Sequence, residues 1–234
     1  MCSIAPVALI TGGASGIGLA VAKRLVELDW NVAIVDLQAA KGGHASQLAD
    51  DRSLLLKADV SSYDEQADAF SQVYKKWGRI DFGQKNTSKG GSLVMTSSTA
   101  GIYAISEVPL YAAAKHGVLG LARSLGKRMM ENGEPITVNA IIPGTVPTAI
   151  LPQPVIDAIP TQFLTPASLI VKAIENILND PSINGQAIEC SGNDIVNRPP
   201  HPFVNEACKY TAGGGYREKA GQDAVLKFGI DGQK

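Results

Sequence analysis

The sequence predicts an α/β fold, a doubly wound parallel sheet with helices on both faces in three layers, α/β/α. Three observations carry this expectation. Short apolar runs of strand length alternate with helical spacing through the first eighty residues, a pattern that specifies parallel strands joined by crossover helices. A glycine-rich turn, TGGASGIG, stands between the first run and the first helix. The later runs, SLVMTSS, ITVNAIIPG and GQAIEC, are again separated by helix-length segments.

VALIT, Val7 to Thr11, is the first strand, and Ile17 to Leu28 follows as a helix with Ile17, Ala20, Val21, Leu25 and Leu28 on one side. NVAIVD, Asn31 to Asp36, is a second buried strand, and SLLLKADV, Ser53 to Val60, contains a third. Ser61 or Ser62 caps the next helix, which ends near Trp77 and Gly78. The spacing then gives a strand over Ser92 to Ser98 and a long helix from about Pro109 to Met130. A strand over Ile136 to Gly144 follows. Pro147, Pro152, Pro154 and Pro160 mark an irregular loop, and Pro166 opens a helix that ends near Leu178. Gly185 to Cys190 is the last expected strand. Beyond Ser191 the chain is rich in Gly and Pro and is expected to wrap the surface with one or two short helices.

Composition narrows the function. The chain has 234 residues, of which 45% are hydrophobic and 18% charged, enough for a sizeable core in one large domain. A net charge of −1 argues against a general nucleic-acid binder, which carries a clustered basic excess. No apolar run reaches membrane-spanning length. The start, MCSIAPVALITGG, lacks the basic region of a signal peptide. Cys2, Cys190 and Cys208 are odd in number and widely spaced, fitting neither a disulfide framework nor a zinc site. A cytosolic protein without a metal is the expectation.

The glycine turn carries the first piece of chemistry. Glycines allow positive φ and let the backbone approach a pyrophosphate, whose charge rests on exposed helix N–H groups. Eighteen positions past Gly18, Asp36 ends the second strand, where a carboxylate can take the adenosine ribose hydroxyls. That carboxylate repels a 2′-phosphate, and neither residues 13–15 nor Leu37 supplies a compensating cation, so NAD is favoured over NADP. A ligand-free turn would explain the glycines alone, but not strand, turn, helix, strand and acid in register.

LYAAAKHG places Tyr111 and Lys115 four apart, on one helix face, and Ser98 ends a strand thirteen residues earlier. A phenol with an ordinary pKa of about 10 is a poor base at neutral pH. A neighbouring ammonium and a positive nicotinamide ring both favour the phenolate. Tyr111 can then take the hydroxyl proton as hydride leaves carbon, while Ser98 holds the substrate oxygen. A core tyrosine, a surface lysine and a strand-end serine would fit the same pattern.

The turn TGGASGIG, ADV at Ala58 to Val60, the SS…YAAAK set and PGTVPT at Pro143 to Thr148 together resemble the short-chain dehydrogenase/reductase superfamily, and within it the NAD-dependent 15-hydroxyprostaglandin dehydrogenase-like alcohol dehydrogenases. The resemblance runs from about Val7 to Gly192. It implies a single Rossmann-like dinucleotide-binding domain over residues 1–192 and a C-terminal surface extension over 193–234. It further implies that Gly12, Ser15, Gly16, Ile17 and Gly18 line the pyrophosphate and Asp36 the ribose, with Asp59 and Val60 at the adenine. Ser98, Tyr111 and Lys115 would be catalytic, with Tyr111 and Lys115 also beside the cofactor. Pro143, Gly144, Val146 and Thr148 would face the nicotinamide end. His116 matches no catalytic position and is expected on the helix surface. The substrate would be a small alcohol or ketone.

The resemblance is interrupted between 82 and 92. After a sequence like GRID the family has a fourth strand, then a long helix with a fourth catalytic residue, an Asn. Here Phe82 and Gly83 run directly into QKNTSKGG, similar to the end of that helix. A strand–helix–strand unit needs about thirty residues or more, and Arg79 to Ser98 holds 20. Part of one crossover is therefore lacking. Residues 79–82 can serve as a stub of the fourth strand, the gap can stay open, or the sheet can close up and shift Ser98 and Tyr111 by about 5 Å. The family also uses the missing helix in subunit pairing, so any homo-oligomer is expected to be weakened.

Overall fold

The computed structural model describes residues 5–39, 45, 48, 51–81 and 90–215, which include two sheets and six helices, the short α4 (Gln153–Asp157) lying in the proline-marked loop. The first sheet is parallel, in the order β1 (Val7–Thr11), β2 (Asn31–Asp36), β3 (Ser53–Lys57). The second has the order β4 (Gly91–Thr96), β5 (Ile136–Pro143), β6 (Ala187–Ser191), β7 (Asp194–Asn197). Its first three strands are parallel and β7 runs back against β6. The β6–β7 hairpin is part of this sheet, and the compact unit that holds it runs to Arg198.

Helix α1 (Gly16–Glu27) turns Leu19, Val21, Ala22 and Leu25 onto Val32 and Ile34 of the first sheet. Helix α5 (Ala167–Asn179) buries Ile170, Ala173 and Ile177 against Ile141 and Ile188 of the second. Each such fully buried aliphatic side chain is worth about 1.5–3 kcal/mol. These two helices also pack on each other. Val171, Ile174 and Leu178 reach the α1 cluster, Ile17 touches both clusters, and the Arg24 guanidinium pairs with Glu175 at 2.5 Å.

The opposite face is divided. Helix α2 (Tyr63–Trp77) covers the first sheet with Ala69 and Val73, and α3 (Pro109–Glu131) covers the second with Leu119 and Ala122. The Ser62 hydroxyl caps α2 by accepting from the Glu65 N–H, and Gly78 ends it at a φ of 71° that favours glycine. The result is the expected three-layer α/β/α arrangement, split between β1 and β4.

The split answers the question raised by the short junction. The sheet has not closed up, because no hydrogen-bonded pairing joins β1 to β4 among the described residues. The stub does begin. Asp81 lies beside the start of β1, its N–H donating to the Val7 carbonyl at 2.8 Å and its carboxylate accepting from the Val7 N–H at 3.0 Å. Arg79 pairs with the same carboxylate. Residues 82–89, which hold the rest of the junction, lie outside the described residues, as does Cys2. The described residues 199–215 lie in a second unit, in which α6 (Glu206–Gly213) is capped by the Asn205 side chain, accepting from the Cys208 N–H at 2.9 Å. No described helix is long and apolar enough to cross a membrane.

Candidate active site

The glycine turn is built by backbone constraints. Gly12 and Gly16 have φ of +65° and +53°, and the Gly12 N–H donates to the Val35 carbonyl at 2.8 Å, fastening the turn to β2. Gly18 is pressed so closely on Gly12 that a β-carbon there would lie 2.9 Å from the Gly12 carbonyl carbon. Ser15 precedes α1 without a side-chain cap, and no acidic residue stands in the first turn. The first N–H groups of α1 therefore have no intrahelical acceptor and face an exposed turn, which suits a negatively charged group. Asp36 stands over the turn: its Oδ2 accepts from the Ala14 N–H at 3.1 Å and its Oδ1 from the Gln38 N–H at 2.9 Å. The donor set and the uncrowded space at Gly12 fit a dinucleotide phosphate.

Asp59 and Val60 follow β3. The Asp59 carboxylate accepts from the Ser61 N–H at 2.8 Å, which holds it below the usual carboxylate range, and Val60 is exposed. The segment 143–148 arrives from the other sheet. Gly144 is wedged between the Ser191 and Thr165 hydroxyls, each 2.8 Å from where a β-carbon would stand. Pro143 and Val146 are buried, Val146 packing near Ile141 and Ile170, so Val146 offers only its backbone to a ligand. Thr148 reaches across the split, its Cγ2 3.3 Å from the place of a Gly16 β-carbon.

The three residues expected to be catalytic lie just past the end of β4, at Ser98, and on α3, at Tyr111 and Lys115. Lys115 directs its Nζ to the Thr96 carbonyl at the end of β4, at 3.0 Å, and lies 5.5 Å from the Tyr111 ring centre. Tyr111 is 44% exposed, so its phenol is open to a substrate. The Ser98 Oγ accepts from the Ala100 N–H at 3.2 Å, which leaves the hydroxyl proton free to donate. Ser98 and Tyr111 share no hydrogen bond with each other. The two serines of SS differ in their surroundings, since the buried Ser97 donates to the Lys115 carbonyl at 2.8 Å and so ties α3 to the end of β4. The doublet gives no sign of that difference. His116 is exposed, with Nδ1 2.9 Å from the Ala112 carbonyl, as expected.

Two further features escape the sequence pattern. Thr165 is fully buried, its N–H donating to the Thr145 carbonyl at 2.7 Å and its Oγ1 accepting from the Gly192 N–H at 3.0 Å, which holds segment 143–148 to the end of β6. Its place before the helix-opening Pro166 was the only available signal. Glu189, in the middle of β6, is a buried carboxylate paired with Arg198. Beside it, burial and the Glu189 charge push the Cys190 thiol up to about 11, so it stays protonated and inert. Cys190 and Cys208 are both free, and no group of side chains suited to a metal occurs among the described residues.

A doubly wound sheet with a glycine turn at the first strand end, an acid at the second and a Tyr–Lys pair beside a strand-end serine defines an α/β dinucleotide-type oxidoreductase scaffold. The sequence profile of the short chain dehydrogenase family matches residues 6–88 and 82–155. The chain belongs to this family of oxidoreductases acting on CH–OH groups. It is 26% identical over 236 positions to the short-chain dehydrogenase/reductase prx6 of Penicillium rubens, covering 78% of this chain and 79% of that protein. It is 30% identical over 187 positions to human 15-hydroxyprostaglandin dehydrogenase [NAD(+)], covering 62% and 70%. A crystal structure of 3-ketoacyl-(acyl-carrier-protein) reductase from Brucella melitensis with NADH superimposes with a TM-score of 0.70 at 21% identity, covering 80% of this chain and 97% of that one.

Proposed function

We propose that the chain is an NAD-dependent oxidoreductase that interconverts a secondary alcohol and a ketone on a small apolar substrate, with Tyr111 as the acid/base. The observation that carries this reading is the open Tyr111 phenol beside the Lys115 ammonium at the end of β4. Gly12, Ser15, Gly16, Ile17 and Gly18 would hold the pyrophosphate on the first turn of α1, and Asp36 the adenosine ribose, whose 2′-phosphate it would repel. Asp59 and Val60 would border the adenine. Segment 143–148, with Pro143, Gly144, Val146 and Thr148, would face the nicotinamide. Bound NAD supplies the hydride acceptor. The rest falls to side chains. Ser98 donates its free proton to the substrate oxygen, Tyr111 removes the hydroxyl proton, and Lys115 stabilises the phenolate by its charge. Ile150 and Phe163, 81% and 65% exposed in the loop 149–165, support an apolar substrate.

A second reading has its own support: a dinucleotide-binding or regulatory form without turnover. The 236 aligned positions of the Penicillium relative exceed the residues of this chain that take part, and the profile match breaks at 82–88, in the junction that separates β1 from β4. An internal deletion of one crossover accounts for both. The same loss would weaken homo-oligomer pairing.

Calorimetric titration with NAD and NADH, followed by NADH formation over a panel of secondary alcohols, separates the readings. Turnover that falls on the order of a hundredfold or more in Tyr111→Phe is the expected result. Turnover indifferent to Tyr111→Phe refutes the acid/base role, and binding without any turnover leaves the regulatory form.

A further inference from the structure

The connector between Ser98 and Tyr111 is held by a cluster that the reaction itself does not use. Residues 99–108 leave the end of β4 through a 3-10 turn, Thr99–Gly101, and enter α3 at Pro109. Their backbone hydrogen bonds are local, from Gly101 to Ser98, from Ile102 and Tyr103 to Thr99, and from Val108 to Ile105. Among the described residues, Tyr103 alone gives the connector long-range side-chain hydrogen bonds. Its hydroxyl accepts from Arg198 Nη2 at 2.7 Å and lies 3.4 Å from Glu189 Oε2, and its ring stands 5.9 Å from the guanidinium carbon.

The other side of this contact is firmly placed. Glu189 projects from β6, with a side chain only 6% exposed, and accepts from Arg198 Nε at 2.5 Å. A carboxylate so buried needs its partner. The Arg198 main chain is fixed twice, its N–H donating to the Ala187 carbonyl at 2.7 Å and its carbonyl accepting from Arg123 Nη2 of α3 at 2.8 Å. One guanidinium thus neutralises Glu189 through Nε and reaches the connector through Nη2. An ammonium, with its charge on one atom, lacks that fixed fork.

We propose that Tyr103 is a positioning residue: its hydroxyl, gripped by the Arg198–Glu189 pair, pins the 99–108 connector and thereby fixes Ser98 and Tyr111 relative to each other for the substrate. The pin acts on the chemistry only if Ser98 and Tyr111 act as read under Proposed function. Tyr103→Phe is the clean perturbation. It keeps the ring against the guanidinium and leaves the Arg198–Glu189 pair whole, so it releases the connector without stranding a buried charge.

The test compares Tyr103→Phe, Arg198→Lys and the double variant in the full chain. Amide hydrogen exchange in peptides covering 99–108 is expected to speed up about tenfold in each single variant, the factor represented by losing one hydrogen bond to a charged group, while 119–126 of α3 stays protected. The double variant is expected to go no further, because both substitutions break the same bond. With the alcohol that the wild type turns over best, kcat per NADH-binding site is expected to fall about tenfold while the KM for alcohol and the NAD affinity stay within about twofold. A merely structural tyrosine would lower the fraction of binding sites and leave kcat per site alone. Unchanged exchange in 99–108 overturns the pin, and faster exchange with unchanged kcat overturns the positioning role. A wild type that binds NAD but oxidises no alcohol fails the proposed reaction and the positioning role with it, while the exchange result still decides the pin.

Discussion

Replacing Gly18 by alanine tests the glycine turn where its geometry is tightest. Gly18 does not have a positive φ, so alanine is tolerated by the local backbone and only the added methyl acts. Its β-carbon would overlap the Gly12 carbonyl oxygen and sit 2.9 Å from the carbonyl carbon and 3.0 Å from the Gly13 α-carbon. Unbonded carbons rest at about 3.5–4.0 Å, so the turn must move by about 0.5 Å or more, and every atom in the way belongs to the main chain. Overpacking of this kind costs about 1–3 kcal/mol, which lowers the melting temperature of a domain this size by about 2–12 °C. The same movement withdraws the first N–H groups of α1 from a phosphate, and NAD affinity should fall at least about tenfold. The control is Gly12→Ala, where the new methyl meets nothing within 4 Å and only the φ of +65° is strained, at about 1–2 kcal/mol. Melting curves and calorimetric NAD titrations on both variants read the outcome. A Gly18→Ala chain that melts and binds NAD like the wild type refutes the close approach and the phosphate site with it.

Two further substitutions sort the roles of neighbouring groups. Asp36→Ala removes the charge proposed to discriminate against a 2′-phosphate and the acceptor for the Ala14 N–H; the NAD dissociation constant should rise about tenfold while that for NADP holds or falls, as titration with both cofactors will show. Ser97→Ala deletes a buried hydroxyl that donates to the Lys115 carbonyl, and should cost about 1–3 kcal/mol, visible as a lower melting temperature. Ser98→Ala should leave melting nearly unchanged and lower kcat instead; the reverse pattern would exchange the roles assigned to the two serines.

Much of this architecture could be read from residue order. Val7 to Thr11 and Asn31 to Asp36 are strands over those same residues because their apolar side chains run nearly without a break, with Val7, Ala8 and Val32 to Val35 buried and Leu9 and Ile10 half-buried. Pro109 opens a helix because its fixed φ and missing N–H suit a first turn. The glycine turn, Asp36 and the Tyr111–Lys115 pair were legible because their spacing is local. What stayed hidden depends on partners distant in sequence. Glu189 reads as a charge inside an apolar strand until Arg198 and Tyr103 are brought to it, 9 and 86 residues away. The early end of the first sheet at β1 was equally illegible. Counting residues 79–98 shows that a crossover cannot fit, but not whether the strands on either side will meet; the packing of α1 on α5 keeps both halves aligned without that meeting.

That one-sided union changes what a bound cofactor would be for this molecule. The glycine turn follows a strand of one sheet and Lys115 lies on the helix that covers the other, so a dinucleotide held as proposed would act as a cross-brace where, among the described residues, no main-chain pairing joins the sheets. Ligand at a hundred times its dissociation constant contributes about 2.7 kcal/mol to any fold that alone can bind it. For this chain that increment would fall on the seam, which makes rigidity, as much as chemistry, a property of the loaded protein.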